Sequence, residues 1–263
     1  MHITRIGGPT VFIEWSGWRI LTDPTFDPPG RTYSFGLGTS STKQVGPALP
    51  LDALEPIDIA LVSHHGHADN LDDAGREGLE RATTVLTTQA GARALSHPDI
   101  RGLAAGESVT LGAPGKPDLT ITATPGRHGA AVTRPIVGPV IGFALALDGA
   151  ARPGLWVTGD TVISGAVRRY AQDLAPEVAI VHVGAVRFGI TGPLRYTMDV
   201  KEAIELIELA RPDVVVPTHV EGWSHFSEQE DAARRAFAAA PAGVADRVRW
   251  APLGEALDPA AAG

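Results

Sequence analysis

The sequence contains no cysteine among its 263 residues. This absence excludes disulfide bridges and thiolate ligands, so a metal ion would have to be held by His, Asp, Glu or Asn side chains. No apolar stretch approaches the roughly 20 residues that cross a bilayer, and residues 1–8 lack the apolar segment of a signal peptide. We therefore expect no membrane partner and a cytoplasmic location.

Clustered positive charge is also absent. The net charge is -8 at pH 7, and no run of Lys or Arg offers an electrostatic path along a phosphate backbone, so nucleic acid is not expected as a partner. The sequence has no Gly-x-Ser-x-Gly elbow, no phosphate-binding loop and no dinucleotide fingerprint. The serine hydrolase and nucleotide-binding classes therefore lose their support.

The composition is that of an ordinary globular protein, with 44% hydrophobic and 20% charged residues. The length allows one large core, and we expect a single domain over residues 1–263.

Apolar periodicity predicts strands and helices that alternate along much of the chain. Strands are predicted at residues 3–6, 11–15, 18–22, 57–63, 85–88, 108–111, 119–123, 140–147, 155–158, 178–183, 214–217 and 247–250. Helices are predicted at residues 73–82, 90–95, 162–172, 199–210 and 228–239. Residues 27–50, rich in Gly, Pro, Ser and Thr, are predicted to form a long loop. This order indicates two sheets packed face to face, with helices on both outer faces.

Three histidines and a carboxylate directly follow the predicted strand at residues 57–63. These are His64, His65, His67 and Asp69. A buried strand that ends in this cluster would place imidazole nitrogens and an ionised carboxylate at the rim of a sheet, where they can converge on an ion such as Zn²⁺. The cluster therefore predicts a metal site.

Three further candidate ligands also lie just beyond predicted strands: His128, Asp160 and His219. One polar residue after a strand is common and is often only a hydrogen-bonded loop residue. The repetition of this pattern in one chain instead indicates ligands that are gathered at one place.

The order of these residues resembles the metallo-β-lactamase superfamily, whose first motif, His-x-His-x-Asp-His, is followed along the chain by a lone His, a bridging Asp and a final His. Residues 65–70 match the first motif, and His128, Asp160 and His219 take the later places. Residues 21–24 look like the superfamily's lactonase-like and phosphodiesterase-like branch. The resemblance implies an α+β four-layer αββα sandwich of two mixed sheets, with one or two Zn²⁺ ions, or Mn²⁺ as an alternative.

Two departures from the motif bear on the metal site. Asn70 stands where the superfamily has a histidine for the second ion, and an amide oxygen is a poorer ligand for Zn²⁺ than imidazole, so that site would be weaker, prefer Mn²⁺ or stay empty. The extra His64 makes the register ambiguous by one residue. We favour His65 as the ligand because its register keeps the spacing through Asp69, with His64 as a substitute ligand or a supporting residue.

An ion held by three histidines makes hydroxide available at neutral pH, and this metal-bound hydroxide is the expected nucleophile. Asp69 would orient the water or accept its proton. The expected function is hydrolysis of a small-molecule ester, lactone, amide or phosphodiester. The alternatives are a nuclease of the same superfamily, a redox di-iron protein, and a non-catalytic metal-binding or ligand-binding protein, which Asn70 motivates. The oligomeric state is left open.

Several other side chains are candidates for the substrate pocket. His225 is a pocket and catalytic candidate, and Trp223 would form an apolar wall. Arg187, Arg195 and Tyr196 could bind an anionic group, or the arginines could instead pair with structural carboxylates. Three histidines remain. We expect His182 to line the pocket or to lie in the core, and we expect structural roles for His2 and His97.

Overall fold

The computed structural model describes residues 1–36 and 38–261. The strands are β1 (His2–Gly7), β2 (Thr10–Trp15), β3 (Trp18–Thr22), β4 (Thr32–Gly36), β5 (Thr39–Thr42), β6 (Ile57–Val62), β7 (Ala82–Thr88), β8 (Ile100–Leu103), β9 (Ser108–Leu111), β10 (Leu119–Pro125), β11 (Ile141–Leu147), β12 (Leu155–Val157), β13 (Val178–His182), β14 (Val214–Thr218) and β15 (Ala256–Leu257). The helices are α1 (Asp73–Gly78), α2 (Gln89–Ala94), α3 (Arg134–Val137), α4 (Gly165–Leu174), α5 (Val200–Ala210), α6 (Glu230–Ala238) and α7 (Ala242–Ala245).

The chain divides by its contacts into two compact units. The first unit contains Met1–Leu103, Glu221–His225 and the stretch from Ala251 onwards, and the second contains Ala104–Val220 and Phe226–Trp250. A single domain over residues 1–263 stays a prediction. In the part of the chain that the structure describes, no helix is both long and apolar enough to cross a membrane.

The first unit contains a mixed sheet in the order β15-β1-β2-β3-β6-β7-β8. The strands β1, β2 and β3 form an antiparallel meander, whereas β3, β6, β7 and β8 run parallel. Ile6, Phe12, Leu21, Ile57 and Val62 pack in one buried cluster of this unit. Since β3 and β6 are parallel neighbours, their carboxyl ends meet at one edge, where the histidine-rich segment begins.

The prediction of a loop throughout residues 27–50 was wrong, because β4 and β5 form an antiparallel hairpin there. Tyr33 and Ser41 are partners across this hairpin, and both are buried at 8% and 2% exposure. Short strands in which Thr and aromatic residues alternate with Ser fit a half-buried pleated surface. The high Gly and Pro content around the hairpin hid this pattern.

The second unit contains a mixed sheet in the order β14-β13-β12-β11-β10-β9. The strands β12, β13 and β14 are parallel, and β11 is antiparallel to both β10 and β12. It follows that β10, β12, β13 and β14 all run in one direction and end at one edge of the sheet. Helix α5 begins after Asp199, which caps it by accepting from the Glu202 amide. The helix buries one apolar face, which includes Val200, Ala203 and Ile207.

The predicted strand at residues 247–250 was wrong. The segment makes a single bridge, between Val248 and Val215, while Arg247 donates to the Pro212 carbonyl and the Trp250 ring lies 6.1 Å from Phe237. Strand β8 and the short helices α3 and α7 were not predicted. The two mixed sheets with helices confirm the α+β class.

Candidate metal centre

Hydrogen bonds from Asp23 hold the start of the segment that carries the first histidines. Its amide donates to the Leu61 carbonyl at 2.8 Å, and its Oδ1 accepts from the Ser63 amide at 2.7 Å. The Thr10 hydroxyl holds the Asp23 carbonyl at 2.7 Å, and the backbone of Asp23 is left-handed, with φ of 34°. Sequence reasoning noted residues 21–24 as a resemblance but missed this positioning role, whose signal was an Asp directly after a strand.

His64 and His67 lie together at the end of β6. His64 is 1% exposed, its Nδ1 is 3.1 Å from the Ser63 hydroxyl, and its Nε2 is 3.0 Å from His67 Nδ1. The two rings meet edge to face at 5.0 Å. Two imidazole nitrogens are thus brought to one point, as ligands of one ion require.

The third histidine of this segment, His65, has other surroundings. It is half-buried, and its backbone carbonyl accepts from Arg76. Burial, and secondly the Arg76 charge, lower the pKa of the His65 ring. Burial also lowers the pKa of His67, against the opposing effect of Asp69. The neutral imidazole that this favours in His67 is the form that binds metal.

Asp69 is held by a histidine from a distant part of the chain. His225 Nε2 lies 3.0 Å from Asp69 Oδ2, and His225 Nδ1 lies 2.5 Å from the Ser41 hydroxyl. Asp69, His225 and Ser41 are all buried. The structure thereby joins the two residues predicted to be catalytic, and it adds Ser41, which sequence reasoning missed.

Asn70 is fully buried, at 0% exposure. Within residues 1–36 and 38–261, neither its amide oxygen nor its amide nitrogen has a hydrogen-bond partner, although its backbone amide donates to His67. A buried amide without a partner costs about 1–3 kcal/mol. An ion bound by the amide oxygen would offset that cost, so Asn70 fits a role as a ligand.

In the second unit, His128 and His219 are oriented by backbone carbonyls. His128 Nδ1 donates to the Tyr196 carbonyl at 2.8 Å, and His219 Nδ1 donates to the Val183 carbonyl at 3.2 Å, since a carbonyl can only accept. This bond fixes the tautomer in which Nε2 carries the lone pair. Both rings are therefore prepared to bind a cation through Nε2.

Asp160 and His219 follow β12 and β14, whose carboxyl ends share one edge. His219 Nε2 lies 3.4 Å from Asp160 Oδ2, and both side chains are fully buried. His219 has a left-handed backbone with φ of 63°, and a Cβ on neighbouring Gly184 would lie 2.2 Å from the His219 carbonyl oxygen. Only glycine at position 184 permits this close approach. His182 is also fully buried, and its ring lies 5.8 Å from that of His219.

The residues predicted to bind substrate differ in their exposure and in their partners. Arg195 pairs with Asp199 and Glu202, as the structural alternative expected, and Arg187 is exposed. Tyr196 is 6% exposed and serves His128 through its carbonyl.

Trp223 is 1% exposed and packs 5.3 Å from the Tyr33 ring, with Lys43 over its face. A side chain this buried belongs to the core, and the role of Trp223 as a pocket wall stays a prediction.

Two groups of side chains could each hold a metal ion. They are His64, His67 and His128, and Asp69, Asp160 and His219. The first group offers three imidazoles, the usual ligands of Zn²⁺, and the second offers one imidazole and two carboxylates, which also suit harder ions such as Mn²⁺. His65 lies in neither group. The ligand assignments stay predictions, and the placement favours His64 over the residue preferred from the sequence.

A family model described as the beta-lactamase superfamily domain matches residues 18–220. The chain belongs to the beta-lactamase superfamily. A relative from Pyrococcus furiosus, a UPF0173 metal-dependent hydrolase, is 26% identical over 231 residues, which cover 85% of this chain and 86% of the relative.

Solved structures of the superfamily fold are also similar to this chain. An isothiocyanate hydrolase from Delia radicum gut bacteria has a TM-score of 0.79 at 20% identity, covering 98% of this chain and 99% of that one. A metallo hydrolase of the archaeon Ignicoccus hospitalis KIN4/I has a TM-score of 0.67 at 22% identity, covering 97% of each chain. The family model confirms the predicted family, and the solved structures confirm the predicted fold class.

Proposed function

We propose that this chain hydrolyses a small-molecule ester, lactone, amide or phosphodiester with one or two divalent ions bound by His64, His67, His128, Asp69, Asp160 and His219. The observation that carries the proposal is the pair of hydrogen bonds from His128 and His219 to backbone carbonyls, which favour in both rings the tautomer whose Nε2 lone pair can bind a cation.

A bound ion would acidify a water molecule and polarise the substrate oxygen. The chain's own residues would do the rest. Asp69, fixed by His225 at 3.0 Å, would orient the attacking water and accept its proton. Burial of Asp69, Asp160 and His219 would keep bulk water from weakening the electrostatic interactions in the centre.

The choice of ions follows from the donor atoms. Three imidazoles suit Zn²⁺. Asp69, Asp160 and the amide oxygen of Asn70 would instead provide harder oxygen donors, which prefer Mn²⁺ or bind Zn²⁺ weakly. In this proposal His64 replaces His65 as the first ligand, because His64 Nε2 lies 3.0 Å from His67 Nδ1, whereas His65 is in neither candidate ligand group.

The substrate is proposed at the level of its chemical class. One structural neighbour is named an isothiocyanate hydrolase, so isothiocyanates belong in a substrate panel with esters, lactones, amides and phosphodiesters. Exposed Arg187 remains available in this proposal to bind an anionic part of the substrate.

The test is hydrolysis of this panel by protein purified without chelator and by the same protein after EDTA treatment. We expect activity on at least one class, its loss with EDTA, and its return with Zn²⁺ or Mn²⁺. His128→Ala should lose the activity, whereas His97→Ala, whose ring only bridges the Ala82 carbonyl and the Asp99 amide, should keep it. Turnover that EDTA and His128→Ala leave unchanged would contradict the proposal. Metal binding without turnover on any class would support the non-catalytic alternative.

A further inference from the structure

We propose that Ser41 is a positioning residue for Asp69, acting through His225. This inference rests on the proposed function, because it assigns Asp69 a role in the metal centre. It adds the β4–β5 hairpin to the elements that build the centre, a role that no part of the metal-binding motif indicates.

A continuous chain of hydrogen bonds leads from the hairpin to Asp69. The Thr42 amide donates to the Ser224 hydroxyl at 2.9 Å, and the Ser224 and Ser41 hydroxyls lie 3.2 Å apart. Ser41 Oγ lies 2.5 Å from His225 Nδ1, and His225 Nε2 lies 3.0 Å from Asp69 Oδ2.

The direction of this chain follows from what each group can donate. An ionised carboxylate only accepts, so His225 must donate to Asp69 through Nε2–H. In a neutral imidazole the other nitrogen then accepts, and the Ser41 hydroxyl donates to Nδ1. Asp69 and Ser41 therefore favour the same tautomer of His225, and Ser41 holds the ring in the orientation that meets Asp69. Without that hydroxyl, Nδ1 loses its donor, and the ring is less firmly oriented toward the carboxylate.

The hairpin holds Ser41 firmly enough for this role. Tyr33, its partner across the hairpin, donates its hydroxyl to Asp27 and packs against Trp223. Phe35, also on β4, lies 5.3 Å from the His225 ring and 5.4 Å from the His67 ring. The hairpin thus contacts both a proposed metal ligand and the residue that orients another.

Ser41 does not resemble the nucleophile of a serine hydrolase, although hydrogen bonds link a serine, a histidine and an aspartate here. It is 2% exposed, so a substrate cannot reach its hydroxyl. Its effect is expected on the binding of metal and on the state of the His225 ring.

The first test is NMR of the ring nitrogens of His225 in the parent protein, assigned with His225→Gln. We expect a neutral ring protonated at Nε2. A ring protonated at Nδ1 in the parent would overturn the proposal, and this measurement requires no substitution at Ser41.

The second test compares Ser41→Ala with Ser41→Thr, which keeps a hydroxyl, and with Ser40→Ala, which removes an exposed hydroxyl from the adjacent position. Competition with a chromophoric chelator measures the affinity for Zn²⁺ and for Mn²⁺. Ser41→Ala should lower the affinity for the more weakly held ion by about 10-fold to 100-fold and shift the ring signals of His225, since residues that orient ligands have effects of this size. The two other variants should match the parent.

Equal affinities and equal ring signals in Ser41→Ala and Ser40→Ala would refute the role of Ser41. Failure of the parent to bind either ion would instead refute the proposed function. The ring measurement would then still decide the hydrogen-bond direction on which the role of Ser41 depends.

Discussion

Lys43→Met should destabilise the protein far more than a substitution on the surface. Lys43 and Asp72 form an ion pair at 2.8 Å, with side-chain exposures of only 3% and 0%. The substitution keeps an apolar stem of similar length, so the packing against Trp223 is largely retained, but it leaves the Asp72 charge without its cation.

The magnitude follows from the remaining partners of Asp72. Removing one member of a buried pair costs about 3–5 kcal/mol. The Asp72 carboxylate still accepts from the amides of Phe26, Asp27 and Gly75, at 2.9, 2.8 and 2.8 Å. These bonds stabilise the remaining charge, so we expect a loss near the lower end, about 3 kcal/mol in the free energy of unfolding.

Urea unfolding at pH 7 in the presence of EDTA measures this loss apart from metal binding. The matched control is Arg31→Met, because the Arg31–Asp73 pair lies nearby with exposures of 55% and 59%. An exposed pair contributes at most about 1 kcal/mol. A loss for Lys43→Met no larger than that of the control would refute the reasoning.

Three further predictions concern the backbone, a titrating group and the ions. Gly184→Ala should lower the free energy of unfolding by more than about 1 kcal/mol and reduce metal retention, because alanine would have to adopt a φ of +88° with its Cβ against His219. Gly189→Ala should do neither, because the space around Gly189 is open. Burial raises the pKa of Glu228 above 4.5, so the folded state holds its proton more tightly than the unfolded state. In urea titrations, the free energy of unfolding of the parent should therefore fall relative to that of Glu228→Gln as the pH rises from 4.5 through the raised pKa, and the difference should be constant above it. A difference in free energy that does not depend on pH would contradict this prediction. Finally, adding Zn²⁺ at 100 times its Kd should raise the free energy of unfolding by about 2.7 kcal/mol, and an unchanged thermal midpoint would contradict binding to the folded state.

Much of the fold and the motif positions could be predicted because both depend on local patterns. A short apolar run such as residues 57–62 is typical of a buried strand, and the end of a parallel strand projects its next residues from the sheet edge. His67, Asp69 and His219 could be found in this way.

The remaining features depend on contacts between distant segments. Ser41 and His225 are 184 residues apart, and no periodicity relates them. The choice between His64 and His65 depends on how the chain turns after β6, which the spacing of the motif does not determine. The burial of Trp223 follows from its packing under the hairpin, itself missed because of the surrounding Gly and Pro.

The most direct test of the metal centre is the metal content of the parent and of two adjacent histidine variants. Protein purified without chelator, then incubated with Zn²⁺ and Mn²⁺ and desalted, would be measured by plasma mass spectrometry. We predict one to two equivalents in the parent, a loss of about one in His64→Gln, and parental content in His65→Gln, because His64 Nε2 lies 3.0 Å from His67 Nδ1, whereas His65 is in neither candidate ligand group. A loss in His65→Gln alone would restore the register favoured by the sequence. No metal in the parent under any of these conditions would contradict the central claim.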